Sequence, residues 1–162
     1  MSSPPPLTPL AAAVLRVGRP ERVLQIGSGD GEPALFLARE FPTARVRGID
    51  ADPEAVTAAT QRVGLDPEGR VAFKVGGPRR LPYPEDHFDL VAVLDARPSP
   101  AEVARVLRPG GHLILAATRG GASGHGLSGW LLARGLRARG FEEIAAEDAG
   151  AGSFVVLRLP AT

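Results

Sequence analysis

Cysteine is absent from the 162 residues, so neither a disulfide framework nor a thiolate metal site can form. The three histidines are scattered without ligand spacing, which predicts no other kind of metal site. A basic excess is also lacking, since 19 basic residues stand against 18 acidic ones, and this argues against nucleic-acid recognition. The apolar run Leu10–Val14 is too short for a signal peptide or a membrane span. These absences predict a cytoplasmic protein without a membrane segment.

Lysine is nearly absent, because Lys74 is the single lysine and the other basic residues are arginines. With the many alanines and glycines, this bias is typical of a GC-rich bacterial genome rather than of a functional basic surface. Apolar residues make up 44% of the chain, which suffices for one packed interior at this length. Early prolines predict a flexible tail over residues 1–20, with at most a short helix around Leu10–Val17, before a single domain over residues 21–162.

Short apolar runs alternate with helical stretches from residue 22 onward, and such a repeat implies a parallel sheet. Two helix starts are marked by a capping residue followed by proline: Asp52 before Pro53, and Ser99 before Pro100, where Glu102 would complete a capping box. The chain closes with two strands joined by a short turn, which must be antiparallel. The predicted strands are Val23–Ile26, Arg45–Ile49, Val71–Val75, Leu90–Leu94, His112–Ala116, Phe141–Ala146 and Phe154–Leu159.

A glycine-rich loop, Gly27-Ser28-Gly29-Asp30-Gly31, follows the first predicted strand and opens a helix at Pro33. Glycines at such a point allow backbone amides to approach a ligand closely. About twenty residues on, Asp50 ends the second strand, where a carboxylate can bind both hydroxyls of a ribose. Together these features indicate an adenosine-containing cofactor. The alternatives are a turn that needs glycine for its own conformation and a helix cap at Asp50, although Asp52 is better placed for capping.

Four segments in sequence order, VLQIGSGDG, VRGIDADPEAV, LPYPEDHFDLVAV and RVLRPGGHLIL, resemble the successive motifs of class I S-adenosylmethionine-dependent methyltransferases. The resemblance covers about residues 21–118. A nicotinamide-binding loop would instead have glycine or alanine where this chain has Glu32. The resemblance implies an α/β fold with a Rossmann-like, seven-stranded, mostly parallel sheet, whose last strand is antiparallel and whose helices lie on both faces. It also implies S-adenosyl-L-methionine as the cofactor.

By this resemblance, the glycine loop lines the methionine and ribose parts of the cofactor, and Asp50 binds the ribose hydroxyls. Ala51 would lie against the adenine. Leu81 and Pro82 match the family's Leu-Pro-aromatic motif near the adenine, with plain packing as the alternative. The residues expected to contact the cofactor are Gln25, Gly27, Ser28, Gly29, Gly31, Asp50, Ala51 and Gly77.

Two positions depart from the family pattern. Gln25 stands where the family usually has an acidic residue that helps to hold the ammonium end of the cofactor, so hydrogen-bonding capacity is kept without the charge. Gly77 aligns with an aspartate that commonly binds the adenine amino group. These replacements predict weaker cofactor binding and motivate a second hypothesis, a non-catalytic cofactor-binding or scaffold protein.

The acceptor side offers only single candidates for catalysis. Asp95, after the fourth strand, is the candidate base, with a turn aspartate as the alternative. His125, in the glycine-rich loop 120–126, is a further candidate base, with a surface histidine as the alternative. The sequence leaves little room for a cap over a methyl acceptor. We therefore expect a large acceptor, a pocket completed by a second copy in a homodimer, or lost catalysis.

Overall fold

The computed structural model describes residues 7–119 and 127–161, which contain five helices and seven strands. The helices are α1 (Thr8–Val14), α2 (Glu32–Glu40), α3 (Pro53–Val63), α4 (Pro100–Val106) and α5 (Leu127–Ala138). The strands are β1 (Arg22–Ile26), β2 (Arg45–Asp50), β3 (Val71–Val75), β4 (Phe88–Leu94), β5 (Leu107–Ala117), β6 (Glu142–Ala149) and β7 (Gly152–Arg158). None of these helices is long and apolar enough to cross a membrane.

The seven strands form one sheet in the order β3-β2-β1-β4-β5-β7-β6. The first five strands run parallel, and β7 is antiparallel to both of its neighbours, β5 and β6. The predicted Rossmann-like sheet with its closing antiparallel pair is therefore confirmed. The strand order reverses between β1 and β4, and in open α/β sheets ligands bind at the carboxyl ends of the strands beside such a reversal. We refer to this place as the crevice.

Helices cover both faces of the sheet, as predicted. On one face, α1 and α2 pack into a core cluster through residues such as Leu10 and Leu37. On the other face, α4 and α5 pack through Val103 and Leu136. The central strands β1 and β4 lie between these two clusters and are almost wholly buried, which explains why their sequences are continuous apolar runs.

The N-terminal segment packs more closely than the predicted loose tail. In α1, Leu10 and Ala13 are fully buried, and the helix lies against β5 and β7. The approach is close because β7 begins with Gly152, where a Cβ atom would lie 2.8 Å from the Pro9 ring. The prolines that suggested a tail therefore include one that contributes to packing, and a domain boundary at residue 20 remains a prediction.

Strand β5 begins earlier than predicted, at Leu107 rather than at His112. Leu107 pairs with Phe88, and the register then shifts so that His112 pairs with Leu90. The Pro-Gly-Gly sequence between them, which predicts a turn, instead forms an irregularity within the strand, where Gly110 has a φ of 86°.

Both predicted caps are present, but one is only half of the expected box. The side chain of Asp52 accepts a hydrogen bond from the Glu54 amide at the start of α3. The hydroxyl of Ser99 accepts one from the Glu102 amide at the start of α4. In a full capping box, the Glu102 side chain would also accept a hydrogen bond from the Ser99 amide. Here the Ser99 amide donates to the Pro78 carbonyl instead, and the Glu102 carboxylate accepts from the Leu81 amide. Helix α4 is thereby tied to the segment before β4.

Candidate functional site

The glycine loop follows β1 at the crevice and rests on the end of β2. The amides of Gly27 and Ser28 both donate to the Ile49 carbonyl, each at 3.1 Å, and the Gly31 amide donates to the Ser28 carbonyl at 2.8 Å. These bonds satisfy loop amides within the protein itself. The loop is therefore held in shape by backbone bonds to β2 and within the loop.

The three glycines of the loop have different surroundings, although all have positive φ. A Cβ atom on Gly27 would lie 2.4 Å from the Leu94 carbonyl oxygen, and one on Gly31 would lie 3.1 Å from the Ala59 side chain. Gly29 has nothing within 4 Å of the same position. Packing thus explains Gly27 and Gly31, whereas the open side of Gly29 leaves room for a ligand to approach the backbone.

Asp50, at the end of β2, contacts this open glycine. One carboxylate oxygen accepts a hydrogen bond from the Gly29 amide at 3.0 Å, and the other accepts from the Asp52 amide at 2.9 Å. Each carboxylate oxygen has two lone pairs, so both can accept a further hydrogen bond from a ribose hydroxyl. Asp52 caps α3, as the sequence indicates, which leaves Asp50 at the crevice.

Gln25 lies beneath the loop in β1, fully buried, with Gly48 and Ala92 as its neighbours in the sheet. Its side-chain amide donates to the carbonyls of Ile26 at 2.9 Å and Gly27 at 3.2 Å. Its Oε1 atom is buried and has no partner among the described residues. This orientation is set by the two carbonyls, and it leaves one buried acceptor unused below the loop.

Ser28 has its side chain in the interior. It is fully buried, its Cβ lies 3.1 Å from the place of a Cβ on Gly48, and its hydroxyl has no partner among the described residues. The side chain of Ser28 therefore faces β2. Its predicted contact with the cofactor remains a prediction.

The segment after β3 brings the remaining predicted residues to the same edge. The Gly76 amide donates to the Asp50 carbonyl at 3.0 Å, and the Pro82 ring lies 3.4 Å from the place of a Cβ on Gly76. Gly77 has nothing within 4 Å of its Cβ position. Ala51 is exposed beside them, and Leu81 is buried in the core, which favours packing for that residue.

On the acceptor side, Asp95 contacts the end of β5. Its carboxylate accepts hydrogen bonds from the Thr118 amide at 2.9 Å and from the Thr118 hydroxyl at 2.7 Å. Asp95 has a φ of 51°, a left-handed conformation that aspartate tolerates in turns. These contacts support the turn alternative, and a catalytic role for Asp95 remains a prediction. His125 lies outside the described residues.

Two contacts of the site were not predicted from the sequence. Thr118 is a single threonine after a strand, and no motif marks it. Glu102 and Arg105 form an ion pair on α4 that holds the segment after β3. Their three-residue spacing on a helix is a signal that could indicate such a pair. No cluster of three or more potential metal ligands occurs within residues 7–119 and 127–161.

Comparison with known proteins identifies the family. The methyltransferase domain family matches residues 23–111, which is more than half of the chain. The chain belongs to this family, within the class I S-adenosylmethionine-dependent methyltransferases.

Two relatives and one solved structure illustrate the similarity. A demethylmenaquinone methyltransferase of Deinococcus radiodurans is 35% identical over 112 residues, covering 65% of this chain and 46% of that protein. A 27-O-demethylrifamycin SV methyltransferase of Amycolatopsis mediterranei is 38% identical over 117 residues, covering 67% of this chain and 43% of that protein. The chain thus spans less than half the length of these relatives. A SAM-dependent methyltransferase of Aquifex aeolicus has a TM-score of 0.72 at 19% identity, over 93% of this chain and 88% of that one, which shows the shared fold.

The family supports S-adenosyl-L-methionine as the cofactor, and the crevice has groups that fit it. Asp50 offers a carboxylate for ribose hydroxyls, and Gly29 offers open space above the loop backbone. The unpartnered Oε1 of Gln25 is an acceptor of the kind that an ammonium group requires. The chemistry of these three groups is therefore compatible with the cofactor.

Proposed function

We propose that this chain is a methyltransferase that moves the methyl group of S-adenosyl-L-methionine to an acceptor of unidentified structure. The observation that carries the proposal is the hydrogen bond from the Gly29 amide to the Asp50 carboxylate at the crevice, beside the open Cβ side of Gly29. A carboxylate whose oxygens each keep a lone pair for a further bond, beside an approachable backbone, suits a ribose joined to a further polar group. A cytoplasmic location is part of the proposal.

Each cofactor contact follows from the position of a residue in the crevice. Asp50 accepts hydrogen bonds from the two ribose hydroxyls while it continues to accept from the Gly29 amide. Gln25 has an unused acceptor buried below the loop, and we assign this acceptor to the ammonium end of the cofactor. Ala51 and Gly77 border the adenine, where the open surroundings of Gly77 leave space for a flat ring.

When bound, S-adenosyl-L-methionine would supply an electrophilic methyl group attached to a sulfonium sulfur. A nucleophilic atom of the acceptor would take the methyl group, and the sulfur would be left as a neutral thioether. The chain contributes chiefly alignment, because this displacement requires nucleophile, methyl carbon and sulfur in line. The acceptor must also lose a proton. Asp95 is the candidate to accept it, since each of its carboxylate oxygens keeps a lone pair beside the hydrogen bonds from Thr118.

The acceptor class stays open within the proposal. The relatives act on a demethylmenaquinone and on a demethylrifamycin according to their names, and the chain spans less than half of each. A small molecule or a macromolecule is compatible with the crevice, and a second copy of the chain could complete the acceptor pocket.

The alternative is a non-catalytic cofactor-binding or scaffold protein. One observation favours it: the charge is missing at both positions where the family commonly carries a carboxylate, Gln25 and Gly77. Under this alternative the chain binds the cofactor and transfers its methyl group to no acceptor.

Calorimetry with S-adenosylhomocysteine tests cofactor binding. We expect one site per chain, and we expect Asp50→Asn to weaken binding by about 1–3 kcal/mol because a charged hydrogen-bond acceptor is lost. Asp52→Asn is the matched control, since asparagine is also a good helix cap and the Asp52 side chain is used at the start of α3. Equal affinity of the Asp50 variant and the unaltered protein would contradict the ribose assignment. A screen for transfer of labelled methyl groups to candidate acceptors then separates the methyltransferase from the non-catalytic alternative.

A further inference from the structure

The segment from Gly76 to His87 connects β3 to β4 and has neither helix nor strand. Its beginning lies at the crevice, because the Gly76 amide donates to the carbonyl of Asp50, the residue assigned to the ribose. Pro82 is exposed and returns the segment to the same place, with its ring against Gly76. We call residues 76–83 the adenine-side wall. A stretch of this length without regular structure needs other contacts to hold its shape.

Helix α4 supplies these contacts through two side chains. The Glu102 carboxylate accepts a hydrogen bond from the Leu81 amide at 2.9 Å. The Arg105 guanidinium donates to the carbonyls of Leu81 at 3.0 Å and Tyr83 at 2.8 Å. The two residues on either side of Pro82 are therefore both held by the same pair.

The pair is also bonded internally, in a partly shielded position. Arg105 donates from Nε to one carboxylate oxygen of Glu102 at 2.7 Å and from a terminal nitrogen to the other at 3.2 Å. The side chains of Arg105 and Glu102 are 30% and 21% exposed, less than those in the ion pairs that Arg16, Arg39 and Arg62 form. The hydrogen bond from Arg105 lowers the pKa of Glu102, while burial opposes this shift. Both groups are thus charged at neutral pH, and their hydrogen bonds are of the stronger, charge-assisted kind.

The wall has one further anchor and one aromatic residue. The Ser99 amide, at the start of α4, donates to the Pro78 carbonyl at 3.2 Å. Tyr83 packs edge-on against Phe88, and burial raises the pKa of Tyr83 to about 12. Its hydroxyl therefore stays protonated, and its ring packs against Phe88 beside the backbone that Arg105 holds.

We propose that Glu102 and Arg105 are positioning residues that hold the adenine-side wall, so that cofactor affinity depends on a pair that lies on α4 outside the crevice. This inference rests on the proposed function, because the wall acts on a ligand only if adenosine binds at Asp50. Neither side chain touches the cofactor in this proposal. They act through the backbone of Leu81 and Tyr83, which sets Pro82 against Gly76.

The test measures affinity for S-adenosylhomocysteine by calorimetry in Glu102→Ala, Glu102→Gln and Arg105→Lys. We expect Glu102→Ala to bind about tenfold more weakly or worse, because it removes the acceptor of the Leu81 amide and the partner of Arg105. Glu102→Gln keeps an acceptor and should stay within about threefold of the unaltered protein. Arg105→Lys should be intermediate, because an ammonium cannot replace the forked guanidinium. Glu147→Ala is the matched control, since its pair with Arg16 joins the segment after α1 to β6, at the opposite edge of the sheet from β3.

Hydrogen exchange on the same proteins without ligand gives a second reading. We expect faster exchange confined to residues 76–87 in Glu102→Ala, with slower exchange restored in Glu102→Gln. Unchanged affinity in Glu102→Ala, or loss of affinity with exchange raised throughout the sheet, would overturn the positioning role. If Glu102→Ala does not fold, the milder variants decide by the same two measurements. Failure of the unaltered protein to bind S-adenosylhomocysteine would instead overturn the proposed function.

Discussion

The two halves of the crevice edge are held in different ways. At the ends of β1 and β2, the glycine loop is fixed by backbone bonds to Ile49, by the Asp50 carboxylate, and by an ion pair between Asp30 of the loop and Arg62 of α3. At the ends of β4 and β5, the contact described is between Asp95 and Thr118. The cofactor half is therefore shaped before any ligand arrives. Among the described residues, the acceptor half is held mainly by Asp95, whose amide donates to the Ala116 carbonyl and whose carboxylate accepts from Thr118.

The largest effect should come from the glycine that packs against β4. Gly27→Ala combines a positive φ with a Cβ atom 2.4 Å from a backbone oxygen, so we expect it to reduce the free energy of unfolding by about 3 kcal/mol or more. Gly29→Ala meets no atom and should cost only about 1 kcal/mol, from its positive φ. Denaturant unfolding measures both values.

Among the variants that fold, we expect the opposite order for cofactor affinity, with the larger effect at Gly29. Gly29→Ala places a methyl group on the open side of the loop, so we expect a clear loss of affinity for S-adenosylhomocysteine in a stable protein. Normal affinity in that variant would show that the ligand does not approach Gly29, and the cofactor half would then be shaped for packing alone.

The second effect concerns the buried amide below the loop. Gln25→Glu replaces a group that donates to two carbonyls by a carboxylate that cannot donate, in a fully buried place. We expect the free energy of unfolding at neutral pH to fall by about 2–3 kcal/mol, and part of it to return in acid when the carboxyl group is protonated. Gln25→Met is the control for shape without charge. A Gln25→Glu protein as stable as the unaltered one would mean that the neutral amide is not required by the loop.

Substitutions in the acceptor half should change the free energy of unfolding less than those in the cofactor half. Thr118→Val removes the hydroxyl that donates to Asp95 but keeps the backbone bond, so we expect a loss of about 1 kcal/mol in the free energy of unfolding. In a double-mutant cycle with Asp95→Ala, the two losses should be less than additive, because both remove the same contact. Full additivity would show that the bond between the Thr118 hydroxyl and Asp95 contributes nothing in solution.

The smallest expected effect is a pH dependence of the unfolding free energy, which arises from Glu102 beside the adenine-side wall. The pKa of Glu102 lies below its usual value, so its contribution is complete above the unfolded pKa of about 4.3 and is lost as the pH falls through the folded value. The difference in unfolding free energy between the unaltered protein and Glu102→Gln should therefore be constant near neutral pH and should decrease toward zero as the pH falls. A difference that does not shrink as the pH falls would contradict the charged pair as its source.

Much of the fold could be predicted from the sequence because its signals are local. Buried central strands require continuous apolar runs, and Asp52 and Ser99 mark helix starts by chemistry that acts within three residues. The packing of α1 and the early start of β5 could not be predicted in this way. The first depends on Gly152, far along the chain, and the second on a register shift beside Phe88.

The residues of the site also differ in whether their contacts could be predicted from local sequence signals. Asp50 and the glycine loop have a fixed spacing along the chain, so their meeting is predictable. The partner of Asp95 is not, because the contact with Thr118 requires the positive φ of Asp95 and the alignment of two strands. Gln25 shows an intermediate case, since its position is predictable but its two carbonyl partners follow only from the folded backbone.

The place of β7 between β5 and β6 bears on how the protein is made. During synthesis β6 emerges before β7, the strand with which it pairs, and the edge of β5 stays open over the same interval. Open strand edges on a growing chain are templates for pairing with other chains. A chain interrupted before Gly152 would leave the edges of β5 and β6 open, so we expect it to associate with other chains more readily than a chain that contains β7.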